Sequence, residues 1–372
     1  MINKILNLKN NFCTQEEIET LIQELLEANE ARYYFIASYF IDKVNTEEIQ
    51  KALINTNDKR YIQFYFRQIK NANKELFFNK ILEFNDSKTI FYSLYDRHDL
   101  TDNYYLKGIN KLIEFEDKKY LGLAFYYYFN ILKRYNEEIF NILKSLMPEV
   151  TINNYSQVLE TYHEKTKEKS IEYKYESPNK YIGHNGYIPD IIVCHISFDY
   201  GRIINLFYDE KNEVSSHYAV SRTGDYMQFV SLENSAWANG TSLKESSDVY
   251  YSFARSDIVR HRATNANYYT FSIEHESFDG SLTEAQYQTS LKLMCNIIDY
   301  LKETYNYDFI IDKEHIIGHI DVNPLVRVSC PGIYFPTDRF IKDLRKIYRK
   351  EWDYECSRDN LKTYCLKRKL IK

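Results

Sequence analysis

Two histidines, a cysteine and a glutamate in the second half of this 372-residue chain have the most chemistry to offer. His195 ends the apolar run Asp190-Ile191-Ile192-Val193-Cys194-His195-Ile196-Ser197, and His319 follows Ile316-Ile317-Gly318. Cys330 lies in Ser329-Cys330-Pro331-Gly332, and Glu274 in Phe271-Ser272-Ile273-Glu274-His275-Glu276. A catalytic zinc takes three N, S or O donors from the protein and keeps one position open. A carboxylate beside it can move a proton. Spacing alone does not decide the matter. No pair has the short separation of a helix-borne HExxH site, and each of His195, His319 and Cys330, taken singly, reads more readily as core than as ligand.

The elements that would position these groups can be read from their flanks. Residues 190–197 form a buried strand, and Tyr218 to Val220 with Tyr226 to Val230 form a hairpin turning at Thr223-Gly224-Asp225. Tyr268 to Glu276 reads as another strand. Thr283 caps a helix whose Leu291, Met294, Ile297, Ile298 and Leu301 make one apolar stripe, with Glu284 in its first turn. Ile316 to His319 is a last short strand. Alternating strands and helices predict an α/β domain whose mixed central sheet is flanked by helices.

Residues 1–170 read as helical throughout, with little Gly and apolar residues at three- and four-residue spacing. Tyr33, Tyr61, Ile90 and Tyr120 open similar segments 28, 29 and 30 residues apart, and Asp58, Asp86 and Asp117 stand as helix N-caps before three of them. This suits either a stacked helical solenoid or an irregular bundle. Pro178, Gly183, Gly186 and Pro189 then mark a linker over 171–189. The α/β domain is expected over 190–345, and a basic helical tail over 346–372. From Ile341 onward eleven Lys or Arg face five acids.

Composition narrows the function classes. A net charge of −5 gives no overall pull toward nucleic acid or anionic membrane. No run reaches the roughly 18 apolar residues of a membrane span, and the first residues lack a secretory-signal pattern. Synthesis in the cytoplasm is expected on that ground. The six Cys are scattered without a CxxC pair, as in a reduced compartment.

The stretch from about 188 to 345 resembles the type 2 N-acetylmuramoyl-L-alanine amidases, a family shared with phage lysozymes of amidase type and peptidoglycan recognition proteins. Ile192 to Ser197 is similar to the strand bearing the first zinc histidine. Ser215-Ser216-His217-Tyr218 with Arg222-Thr223-Gly224 resembles the family's SxHY hairpin, and Ala236-Trp237-Ala238-Asn239-Gly240 its AWxxG loop. Phe271 to Glu276 resembles the strand with the acidic catalytic residue. Gly318-His319-Ile320-Asp321 and Cys330-Pro331-Gly332 resemble the blocks with the second and third ligands. The blocks come in the family's order. The N-terminal half carries no such resemblance.

The resemblance implies Zn²⁺ on His195, His319 and Cys330, and hydrolysis of the amide between N-acetylmuramic acid and L-alanine in peptidoglycan. It implies Glu274 as general base; Glu276 points the same way along the strand but is the lesser candidate, and His275 should face away. Many members carry Lys two positions before the third ligand. Val328 stands there in this chain, and Arg327 is the substitute. His217 would orient substrate or support its hairpin, and Trp237 would line the cleft or the core. The leading expectation is a cell-wall-lytic, endolysin-like enzyme, made inside and acting on the wall after release. The alternative is a peptidoglycan-binding protein without catalysis, and in either case the helical half would bind a partner protein or wall polymer. The segment around Arg255, Arg260 and Arg262 reads as a polar loop, solvated or at the cleft rim. His98, His163, His184, His261 and His315 have no chemical partner suggested by the sequence.

Overall fold

The computed structural model describes residues 1–9, 13–97, 99–117, 120–124, 128, 141, 145, 176–197 and 200–348. The chain divides into two units, Met1–Ser170 and Ile171–Lys372. His98, His163 and the tail from residue 349 lie outside the described residues.

In the first unit, short polar residues set where helices begin. Helices α1 (Ile2–Lys9), α2 (Gln15–Ala28), α3 (Ala31–Phe40), α4 (Glu47–Asn55), α5 (Lys59–Gln68), α6 (Lys74–Glu83), α7 (Ser87–Tyr95) and α8 (Asp102–Glu114) follow in order. Thr14 and Glu17 close a capping box on α2. The Asp58 carboxylate accepts the Arg60 and Tyr61 N–H groups at the start of α5, and Asp86 accepts the Thr89 N–H at the start of α7. Asp117 accepts from the Tyr120 N–H at 3.3 Å. Such caps satisfy donors a helix cannot. Successive starts also touch. Lys59 Nζ donates to Asp86 at 2.6 Å, and Gln63 Nε2 to the Thr89 carbonyl at 2.9 Å. The core between helices is aromatic, with the Tyr65 and Phe77 rings stacked at 4.7 Å. Among the described residues, no helix is long and apolar enough to cross a membrane.

The second unit is built on a five-stranded mixed sheet. Its strands are β2 (Ile191–Ser197), β3 (Tyr218–Val220), β4 (Tyr226–Gln228), β6 (Thr270–Glu276) and β7 (Ile316–Gly318), in the order β4-β3-β6-β2-β7. Only the β3–β4 hairpin is antiparallel. A separate two-stranded sheet joins β1 (Lys180–Tyr181) to β5 (Ser235–Ala236). Strand alternation sorts the side chains. Ile192, Cys194, Phe271 and Ile273 face helix α11 (Glu284–Tyr305), whose Leu291, Met294, Ile297, Ile298 and Leu301 are all buried on them. Thr283 caps that helix by accepting the Gln286 N–H. Ile191 and Val193 face the opposite way, onto Ala254, Val259, Ala266 and Tyr269. His195 and Glu274 are partners in the β2–β6 register. They share that second face by parity.

Two expectations are corrected. Tyr268 and Tyr269 belong to a 3₁₀ turn that Asn265 caps, so the strand starts at Thr270. The segment around Arg255, Arg260 and Arg262, expected as a polar loop, holds helix α10 (Asp257–Arg262), capped by Ser256, and buries Phe253, Ala254 and Val259. Helix α13 (Thr337–Ile347) runs two residues past the expected domain end and buries Phe340, Ile341 and Leu344.

Strand β7 is a sheet edge. Its outward N–H groups are occupied: Ile316 donates to the Asp312 carbonyl at 3.0 Å, and Gly318 to the Asp321 carboxylate at 2.9 Å.

Candidate metal centre

Strand geometry delivers the first of the grouped side chains. His195 stands near the C-terminal end of β2, and Glu274 lies beside it on β6. β7 stops at Gly318, and the short helix α12 (His319–Val322) starts with His319. Cys330 comes from the following loop. That loop can press on the end of β7 because residue 318 is glycine: a Cβ there would lie 2.4 Å from Pro331 Cδ. On its other side Gly332, at φ +97°, passes so close to Asp279 that a Cβ would meet the carbonyl oxygen at 2.2 Å.

His195, His319 and Cys330 each offer a ligand atom, and these atoms all lie within 4.8 Å of one another. His195 Nδ1 is 3.9 Å from Cys330 Sγ and 3.9 Å from Glu274 Oε2. The two imidazole rings are 4.4 Å apart between centroids. Tetrahedral zinc bonds imply donor–donor edges of about 3.4–3.8 Å, so the cluster has the scale and the donor types of a zinc site. Its electrostatics fit as well. Burial pushes His195 down to about 3, and His319 well below the ordinary imidazole range. Both rings therefore stay neutral at neutral pH, with a lone pair to give. Burial, and the neighbouring Glu274, raise the Cys330 thiol. A bound cation reverses that preference, since coordination favours the thiolate.

Glu274 is lifted to about 8 by burial, against the downward pull of the Arg327 charge. The same charge acts on His195, His319 and Cys330, although Arg327 itself is exposed. Glu276 is turned to backbone donors, accepting the Arg222 N–H at 2.9 Å. His275 faces the other side of the sheet, where its ring meets Phe335 at 5.0 Å and Nδ1 pairs with the His195 carbonyl.

For His217 the expected roles were to orient substrate or to support its hairpin. It is fully buried, Nε2 pairs with the Asn234 carbonyl and Nδ1 accepts the Ser272 N–H, both at 3.0 Å. It therefore braces the hairpin against β6. Trp237 is half-buried on the Tyr181 ring at 5.3 Å, and its indole N–H has no acceptor among the described residues. Arg262 is held as a two-pronged pair on Asp190, at 2.6 and 2.5 Å, above the Tyr269 ring. His184 is buried between the Leu232 carbonyl and Ser235. Sequence reasoning missed Asp321, which is both the plug of the β7 edge and the acceptor, through its carbonyl, of the Arg255 and Ser256 N–H groups. Its position two residues after His319 was the available signal.

Residues 153–333 match the family model described as N-acetylmuramoyl-L-alanine amidase. A curated relative, the 1,6-anhydro-N-acetylmuramyl-L-alanine amidase AmpD of Haemophilus influenzae, is 28% identical over 135 residues, 36% of this chain and 59% of that one. The chain thus spans under two thirds of that relative's length. Two solved structures are also similar. A selenomethionine AmpD derivative matches 45% of this chain and 90% of its own at 21% identity, TM-score 0.32. The amidase LysC from Clostridium intestinale matches 47% and 95% at 18% identity, TM-score 0.28. Over its C-terminal half, this chain is thus similar to the N-acetylmuramoyl-L-alanine amidases.

Proposed function

We propose that the C-terminal unit hydrolyses the amide bond between N-acetylmuramic acid and L-alanine in peptidoglycan, using zinc held by His195, His319 and Cys330. The observation that carries this reading is the convergence of those three donors beside Glu274, inside the stretch that matches an amidase family model. Bound zinc would supply a Lewis acid for the scissile carbonyl. Glu274 takes the proton of the attacking water and returns it to the departing L-alanine amine. Burial favours its protonated form and a bound cation would favour the carboxylate, so the two oppose each other in a group that must both accept and release a proton. Arg327 brings the positive charge that a developing oxyanion needs, in place of the lysine for which Val328 stands. Trp237 offers an aromatic face for the glycan. Catalysis belongs to residues 190–345, and a wall-lytic role for the whole chain extends the same reading.

The test uses the full-length protein on isolated cell walls, counting newly freed L-alanine amino groups. Hydrolysis should stop with a chelator, return with zinc, and fall about 10²–10⁴-fold in Glu274→Gln. Wall binding without any freed amine, or hydrolysis indifferent to the chelator, would overturn it.

A further inference from the structure

Asn239 sits in the loop after β5 and is 1% exposed. All but one of its side-chain and N–H groups are committed. Its backbone N–H donates to Asn267 Oδ1 at 2.6 Å, and Nδ2 donates to Thr270 Oγ1 at 2.9 Å and Ser272 Oγ at 2.8 Å. Thr270 Oγ1 gives its own proton to the Ala266 carbonyl at 2.8 Å. It has none left for a flipped carboxamide, so the orientation of Asn239 is fixed by its partners. What remains is Oδ1. It is buried and accepts no hydrogen bond among the described residues, and His195 Nε2 is buried there without a partner as well. The two lie on one face of the sheet: Ser272, which holds Asn239, is the register partner of Val193, and His195 is the next β2 residue on that face. The opposite nitrogen, Nδ1, faces Cys330 Sγ and Glu274.

A neutral imidazole carries one proton, and the nitrogen without it is the donor to a metal. We propose that Asn239 is a positioning residue for His195: its Oδ1 accepts the Nε2–H, holds that tautomer, and leaves the Nδ1 lone pair aimed at the space shared with Cys330 and His319. The proposal rests on the zinc reading above. Asn239 touches neither ion nor substrate; it acts only through His195. Thr270 and Ser272 in turn hold Asn239, so strand β6 supplies both the carboxylate Glu274 and the anchor of the histidine's support.

The tautomer can be read without any metal. In the metal-stripped, full-length, ¹⁵N-histidine-labelled chain, two-bond ¹H–¹⁵N correlations should show His195 protonated on Nε2. Asn239→Leu, or the gentler Asn239→Ser should the first not fold, should lose that preference. Zinc affinity, measured by competition with a chromophoric chelator, should drop about 10–100-fold. Wild-type His195 protonated on Nδ1, or a Leu or Ser variant with unchanged tautomer and affinity, overturns the proposal. A wild-type chain that binds no zinc sinks the metal reading instead, and the tautomer measurement tells the two failures apart.

Discussion

His195 Nδ1 and Cys330 Sγ lie 3.9 Å apart although 135 positions separate them in the chain. Cys330→Ser replaces a soft donor with a poor one at the same size. Zinc content per chain, measured by elemental analysis after dialysis, is expected to fall from near one to near zero, with hydrolysis lost in parallel. Full zinc retention would show that the sulfur is not a ligand.

Arg327 is exposed, so its removal should leave the fold intact. Removing one oxyanion donor typically costs about 10²–10³ in kcat. Arg327→Ala is expected to lose that much with an unchanged melting temperature, and Arg327→Lys to recover most of it. Equal kcat in all three proteins would assign the oxyanion to another group.

Gly332 makes the turn that carries Cys330 into place. Gly332→Ala strains a backbone at φ +97° and drives a Cβ into the Asp279 carbonyl. The backbone effect alone is about 1–3 kcal/mol, and the clash adds to it. A lower melting temperature together with weakened zinc retention is expected. Thermal denaturation and metal content of the same preparation would check the pair.

His217 gives a pH signature. Burial holds it at about 3, below the ordinary 6.5. The neutral ring is favoured in the folded state. Its contribution to stability is therefore complete above pH 6.5 and is lost as pH falls through about 3. The stability gap between wild type and His217→Gln should be widest above pH 6.5 and narrow toward pH 3. Denaturant melts across that range would show it, and a gap that widens on acidification would contradict the burial argument.

The readable parts of this chain were local ones. Asp58, Asp86 and Thr283 announce helix starts because a cap acts within three residues. The β2 strand and the hairpin at Gly224 follow from short patterns, and glycine there sits at φ +88°. His195, His319 and Cys330 stood out only through motif resemblance; their spacing in the chain says nothing of 4.8 Å. What escaped were pairings between distant positions. Arg262 looked solvated, yet it binds Asp190, 72 residues away. His217 looked available, yet its acceptors and donors come from Asn234 and Ser272. Asn239 carries no local mark, because its partners are hydroxyls on a strand about thirty residues later.

The closed edge at β7 has a wider consequence. Asp312 and Asp321 already answer the N–H groups that would otherwise greet a foreign strand. An open edge is a template for runaway strand addition. On this side the sheet offers an incoming chain a carboxylate where it would need a donor, so copies of the protein can be crowded together without zipping onto one another there.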